Sequence, residues 1–369
     1  MGLLAAAVAI AVKSYAPKGP RFSWDTLPVF FHSANTSGAV TPDGLALMAR
    51  FPMVTIEKFQ YNPEPTHQEA RIIDVLKGVK LINPNVSTIF YYNSVLDFPM
   101  YDLATRMAAD PSLMLRNGAG KIVKMSGGGH SDMDVFDFGN AAARALFIAE
   151  CVNATRTGYV DGCFLDRCVD GTPTDAVSGP LAPCNSTSKC RYPLNLTDAT
   201  ARAYFAGHLQ VIADLQRAIG DGPVIANHAF GPPHDAVERG AVSFAMNEFF
   251  KADNASINSL RWAAANGRGM QAHVGGTKPT IDLIAAFLVG AGRRAYFGNG
   301  KWSTTTTFFD HWSPMYELPL GAPSADAEYD ALSHTWSRTF AHAGAVTFHV
   351  AKGTGTIEHW NAISFPSLY

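Results

Sequence analysis

The chain has 369 residues, 47% of them hydrophobic and 16% charged, with a formal net charge of −2 at pH 7. That length suits one large barrel or two smaller domains with ample core. The near-neutral balance leaves no basic footprint, which excludes nucleic acid as an expected partner. Residues 3–12 form an apolar run followed by Lys13 and Ser14-Tyr15-Ala16. The run is too short to span a bilayer and fits a signal-peptide core before small residues at a cleavage site. Residues 1–16 are therefore read as a leader, although no positive charge precedes the run. N-glycosylation acceptors stand at Asn35, Asn85, Asn153, Asn185, Asn195 and Asn254. Together with the leader they indicate a secreted glycoprotein.

Taken in order, residues 27–33 are a first strand and 53–59 a second, with a short helix at 42–50 between them. A helix over 68–80 has an apolar stripe of Ile72, Ile73, Val75 and Leu76, and Asn83-Pro84 stops it. Residues 87–93 are a third strand. An irregular region over 98–137 holds a helix near 101–109, a turn at 117–120, and Gly127-Gly128-Gly129. The glycines lack a following Lys-Ser/Thr and are read as a flexible connection. A helix at 141–153 leads to Asp161-Gly162-Cys163-Phe164-Leu165-Asp166, a turn and a short strand apolar on both faces. Residues 169–195 make a long loop. Cys184 and Cys190 are expected to pair there, with Cys168 to either as the alternative, since spacing does not fix connectivity. A helix over 197–217, strands at 223–228, 243–248, 270–274 and 294–299, and helices at 254–266 and 280–290 complete the alternation.

Eight short strands alternating with helices predict an α/β fold, a (β/α)8 TIM barrel over residues 17–323. Residues 324–369 differ: a helix over 326–336 and three short strands predict a small C-terminal β appendage. In a barrel the carboxyl ends of the strands converge on one rim. Here that rim receives Glu57, Asn93, Asp166, Asn227, His228, Glu248, His273 and Asn299. Asp166 ends strand four and Glu248 strand six, and strands of like parity contribute to one inward layer. Two carboxyls flanking one bond are the apparatus of glycoside hydrolysis. The expected roles are catalytic for Asp166 and Glu248, with the other rim residues, Asp137, Arg167, Trp302 and Trp312 binding the carbohydrate. Competing carboxyls are Glu57, Asp137, Asp161 and Asp310. No Gly-x-Ser-x-Gly elbow occurs. A metal site from His228, His234 and His273 with Asp166 is not expected, because strand one supplies only His32, and no cofactor is expected. The alternative from another class is a non-catalytic glycan-binding protein on a degenerate barrel.

Asp137, Asn140 and Arg144 at a helix start, followed by Asp161-Gly162 and Asp166, resemble glycoside hydrolases related to the α-galactosidase superfamily. Arg338-Thr339-Phe340 with Gly344-Ala345-Val346 resembles that family's closing strands. The resemblance implies that Asp166 is the nucleophile and that the acid/base stands on strand six, at Glu248. Arg167 departs from the family's usual Asn after the nucleophile.

Overall fold

The computed structural model describes residues 19–61, 67–127, 130–168, 196–227, 243–276, 278–304 and 308–360. In chain order the strands are β1 (Phe31–Ser33), β2 (Met53–Ile56), β3 (Ser87–Asn93), β4 (Lys124–Gly127), β5 (His130–Asp134), β6 (Gly162–Asp166), β7 (Val224–Asn227), β8 (Phe244–Asn247), β9 (Gly269–His273) and β10 (Ala295–Gly298). All but β4 and β5 form one parallel sheet in the order β1-β2-β3-β6-β7-β8-β9-β10. The sheet closes where Phe30 N donates to Phe297 O (3.0 Å) and Phe297 N to Pro28 O (2.8 Å). Beyond it, Ala34 N donates to Trp302 O (3.1 Å) and Thr304 N to Ala34 O (2.9 Å), which lays the segment after β10 along the end of β1. This is the (β/α)8 barrel the alternation predicts.

The helices around it are α1 (Pro42–Met48), α2 (Gln68–Ile82), α3 (Asp102–Ala108), α4 (Ala141–Arg156), α5 (Asp198–Ile219), α6 (Asn254–Ala265) and α7 (Ile281–Gly290). Thr41, Asn140, Thr197, Asp253 and Thr280 each accept a backbone N–H with their side chains at a helix start, satisfying donors the helix leaves open. Two separate cores follow from strand alternation. Phe30, Met53, Ile89, Tyr91, Phe164, Ile225, Phe244, Met246 and Tyr296 fill the barrel interior. Their neighbours one residue on, such as Val54, Phe90, Cys163 and Leu165, pack outward beneath the helices.

At the bottom of β6, Asp161 takes the fully buried Lys80 ammonium at 2.6 Å. The same Oδ2 accepts Thr88 N (2.9 Å) and Thr88 Oγ1 (3.0 Å). Asp161 is therefore a structural anchor. Next to it, a Cβ on Gly162 would stand 2.0 Å from the Pro223 carbonyl oxygen, so only glycine lets β6 and β7 approach there.

Two expectations are corrected. The region read as irregular contains the β4–β5 hairpin, whose Met125 and Met133 are buried beside polar outward positions. The helix expected at 326–336 is a strand, turn and strand instead. Strands β11 (Glu328–Asp330), β12 (Thr335–Phe340), β13 (Gly344–His349) and β14 (Thr354–Ile357) form an antiparallel sheet. Asp330 overrides the helix by accepting Leu332 N (2.9 Å) and Ser333 Oγ (2.6 Å), closing a turn that pairs Tyr329 with Trp336. This sheet is fastened to the barrel through Trp336 Nε1 to Asn254 Oδ1 (2.9 Å) and Gly355 N to Asp282 Oδ1 (2.8 Å). No helix among the described residues is long and apolar enough to cross a membrane.

Candidate active site

The inward face of each strand turns polar where the strand ends. Two residues beyond Phe30, Tyr91, Phe164, Ile225 and Met246 stand His32, Asn93, Asp166, Asn227 and Glu248, and Glu57 lies four beyond Met53. Period-two alternation sends all six side chains into the barrel mouth. Phe164 and Trp302 complete a small cavity, about 50 Å³, lined by His32, Glu57, Lys58, Asp166, Asn227 and Glu248.

Asp166 is half-buried and saturated with donors. Tyr91 Oη donates to its Oδ2 at 2.6 Å and Asn93 Nδ2 to the same oxygen at 3.1 Å. Asn227 Nδ2 donates to Oδ1 at 3.0 Å, and so does the backbone N of Arg167 at 2.9 Å. Burial pushes the carboxyl up; the Lys58 charge, the Tyr91 and Asn227 hydrogen bonds and the Arg167 charge outweigh it and hold it below the usual carboxylate range. Tyr91 itself is pushed well above the ordinary phenol by burial and by the Asp166 and Glu57 charges, so it remains a donor.

The same Asn227 nitrogen also donates to Glu248 Oε2, at 2.8 Å. One amide thus spans the two carboxylates, and their bridged oxygens can be no farther apart than its 3.0 Å and 2.8 Å arms together allow. Glu57 is buried and occupied differently. Lys58 Nζ is 2.8 Å from its Oε2 and His32 Nε2 is 3.4 Å from its Oε1. Lys58 Nζ also donates to Tyr91 Oη at 2.8 Å, which links Glu57 to Asp166 through a cation and a phenol.

Trp302 stacks on His273 with ring centroids 3.8 Å apart and meets the edge of His32 at 4.8 Å. His273 Nδ1 accepts Gly275 N at 3.1 Å, and burial, with His32 and His311 nearby, drives its basicity well below the ordinary histidine. It therefore backs the tryptophan as a neutral ring.

Three residues expected to bind carbohydrate do not line the cavity. Asn299 is consumed by the loop after β10, donating to Asp310 O (2.8 Å) and accepting Tyr316 Oη (2.5 Å). Trp312 packs outside the barrel, edge-on to Phe51 at 5.2 Å and under the Arg50 guanidinium at 3.8 Å. Asp137 closes the turn before α4 by accepting Gly139 N at 2.9 Å. Arg167 contributes its backbone N–H from a left-handed conformation, φ +56°. His228, His234, Cys184, Cys190, Asn185 and Asn195 lie outside the described residues, as do residues 1–18. Asn35 is buried, 7% exposed, and its amide nitrogen donates to Ala39 O at 3.3 Å. Asn153 is exposed, and Asn85 and Asn254 are half-buried.

Sequence reasoning missed Tyr91, Lys58 and Phe164 as site residues. Tyr91 was detectable, since it shares a strand face with Asn93.

A closed (β/α)8 barrel with two bridged carboxylates at its strand ends has the architecture of a barrel glycoside hydrolase. The chain belongs to the family described as hypothetical glycosyl hydrolase family 15, whose model matches residues 80–344, and it is a glycoside hydrolase. Among curated proteins, none matches this sequence. The chain is similar to several solved structures. A GH31 family sulfoquinovosidase from E. rectale is 12% identical over 91% of this chain and 62% of its own, with a TM-score of 0.53. A variant of the glycoside hydrolase domain of PelA from Pseudomonas aeruginosa is 15% identical over 81% of this chain and 97% of its own, with a TM-score of 0.43. Alpha-L-fucosidase isoenzyme 2 from Paenibacillus thiaminolyticus is 15% identical over 79% of this chain and 48% of its own, with a TM-score of 0.48.

Proposed function

We propose that this hydrolase cleaves an O-glycosidic bond with retention, using Asp166 as nucleophile and Glu248 as general acid/base. The observation that carries the reading is the single Asn227 nitrogen shared by the two carboxylates. Retaining enzymes place their carboxyls about 5–5.5 Å apart, whereas inverting ones need roughly 6.5–9.5 Å to admit a water. The shared amide supports the shorter class. In the first step Asp166 attacks the anomeric carbon while Glu248 protonates the departing oxygen, giving a glycosyl ester on Asp166 and a Glu248 carboxylate. In the second, that carboxylate takes a proton from water, whose oxygen displaces Asp166 from the sugar. Donors from Tyr91, Asn93, Asn227 and the Arg167 backbone keep Asp166 ionised before attack. Trp302 offers a ring face to the sugar, and Glu57 with Lys58 offers hydrogen bonds to its hydroxyls.

The tie to the α-galactosidase superfamily belongs to the same proposal. Its support is positional: Asp161 anchors the bottom of β6, Asp166 ends it, and Arg144 Nη1 braces the turn before α4 on Phe138 O at 2.7 Å. Export and glycosylation are proposed with it, on the apolar leader and the acceptors at Asn85, Asn153 and Asn254. Loss of mass from secreted protein on N-glycan removal tests that part.

The test of the chemistry uses a panel of dinitrophenyl glycosides and azide. Glu248→Ala is expected to recover turnover with azide and yield a glycosyl azide of retained configuration. Asp166→Ala is expected to give the inverted azide. A normally folded Asp166→Asn protein with full activity would remove Asp166 from its role, and a first-formed hydrolysis product of inverted configuration from the unmodified enzyme would refute retention.

A further inference from the structure

Helices α6 and α7 end, and strands β9 and β10 begin, on the face of the barrel opposite the carboxylate mouth. Between these turns and the C-terminal sheet lies a cavity of about 620 Å³, of a size that suits a small molecule. Arg261 enters it from α6, Arg268 from the turn before β9, Arg293 and Arg294 from the turn before β10, and Arg338 from β12, while Trp24 supplies an apolar wall. Among the described residues that line it, Asp326 is the one carboxylate, and it stands 3.9 Å from Arg338 with its side chain 97% exposed.

Part of this charge has a structural use. Arg338 Nη1 donates to Leu288 O (3.2 Å) and to Ala291 O (2.5 Å), covering carbonyls at the end of α7, and Arg294 Nη2 reaches Ser243 O at 3.5 Å. Arginine at a helix C-terminus is favourable because that end carries about half a negative charge. Two such ends and Asp326 offset about two of the four charges on Arg261, Arg293, Arg294 and Arg338, leaving about two in excess, with Arg268 set aside. Burial pulls Arg338 below the ordinary guanidinium against the opposing effect of Asp326, and the Arg261 charge lowers it further, as expected of like charges crowded together. Guanidinium does not lose its proton in a protein, so an anion in the cavity would relieve this crowding.

We infer that this cavity binds a small ligand through a tetrahedral oxyanion, sulfate or phosphate. A carboxylate is satisfied by one guanidinium fork. Guanidinium groups carried by α6, by the turn before β10 and by β12 line one cavity, which suits an anion with oxygens in more than two directions. The site is remote from Asp166, so it is a second site and not a subsite of the first.

The test titrates the whole chain with sodium sulfate, sodium phosphate and glucose 6-sulfate at ionic strength held constant with sodium chloride, reading heat and melting temperature. Saturable 1:1 binding at or below about 1 mM is expected. Tighter binding of glucose 6-sulfate than of sulfate assigns the oxyanion to a sugar, and equal affinity assigns it to the free ion. Arg261→Gln with Arg293→Ser should weaken binding at least tenfold. Asp326→Asn, which removes an exposed carboxylate and leaves the packing alone, should tighten it two- to threefold. Non-saturating heats, or affinities that neither change moves, overturn the inference.

Discussion

Lys58→Met isolates the electrostatic support of Asp166. Methionine preserves much of the lysine stem and removes only its charge and donors. Lys58 Nζ and Asp166 Oδ2 are joined through the Tyr91 hydroxyl by hydrogen bonds of 2.8 and 2.6 Å, which puts the charges on the order of 5 Å apart. At that distance their attraction is about 3 kcal/mol for an effective dielectric of 20 and about 0.8 kcal/mol for full water screening. Those limits correspond to roughly half a unit to two units of pKa, and the half-buried site lies between them. Loss of Lys58 also leaves Glu57 without its cation, and that charge acts in the same direction. Lys58 is the largest of the influences that oppose burial, and the Tyr91, Asn227 and Arg167 groups remain in the variant. The acidic limb of the kcat/KM profile should therefore rise by about one unit, with activity lost at low pH and largely kept near neutrality. The stability linkage has the same sign. A carboxyl depressed in the folded state contributes stability above its unfolded pKa, and that contribution is lost as pH falls through the folded value; in Lys58→Met the loss begins at higher pH. Carboxyl ¹³C titration of the free enzyme reads the shift without a substrate. A folded Lys58→Met protein whose limb and carboxyl resonance both move by less than about 0.3 unit would refute the reasoning.

Trp302→Ala removes the ring that stacks on His273, and it should raise KM about five- to thirtyfold with a smaller effect on kcat, corresponding to about 1–2 kcal/mol of sugar-face contact; steady-state kinetics check this, and a change confined to kcat counts against the platform role. Lys80→Met leaves Asp161 buried without its cation and should cost about 3–5 kcal/mol in urea unfolding. Burial already raises the Asp161 carboxyl, and the variant raises it further, so the folded state holds a proton that the unfolded chain has released. The deficit should be larger at pH 8 than at pH 5, and a loss under about 1 kcal/mol at both would mean that Thr88 alone suffices.

The barrel was legible because each strand is short, apolar on both faces and closed by a polar residue, a pattern that only a parallel sheet covered on both sides requires. The C-terminal sheet was less so: Tyr329 and Trp336 fit a helical period as readily as a cross-strand pair, and the deciding contact, the Asp330 side chain on Leu332 N, is local turn chemistry. At the site, rim position identified Asp166, Glu248, Asn93 and Asn227 but could not separate them from Asn299. Both asparagines end runs of the same kind; Asn227 points to carboxylates and Asn299 to a loop fastened through Tyr316. Trp302 and Trp312 were likewise indistinguishable, since both follow the last barrel strand, yet one turns into the mouth and the other packs on Phe51.

The arrangement also explains why Asp166 and not Glu57 is assigned the nucleophile, although both end strands and both face the cavity. Glu57 is in direct contact with an ammonium at 2.8 Å, and a carboxylate so paired must break an ion pair before it can attack. Asp166 receives the same cation through the Tyr91 hydroxyl, and its direct partners are O–H and N–H groups. Such donors stabilise the anion, and the pair on the oxygen that becomes the ester's carbonyl can stay in place once the other oxygen has bonded to the sugar. Glu57 thereby serves to place Lys58, Lys58 to orient Tyr91, and Tyr91 to hold Oδ2, while Asn227 and the Arg167 backbone hold Oδ1.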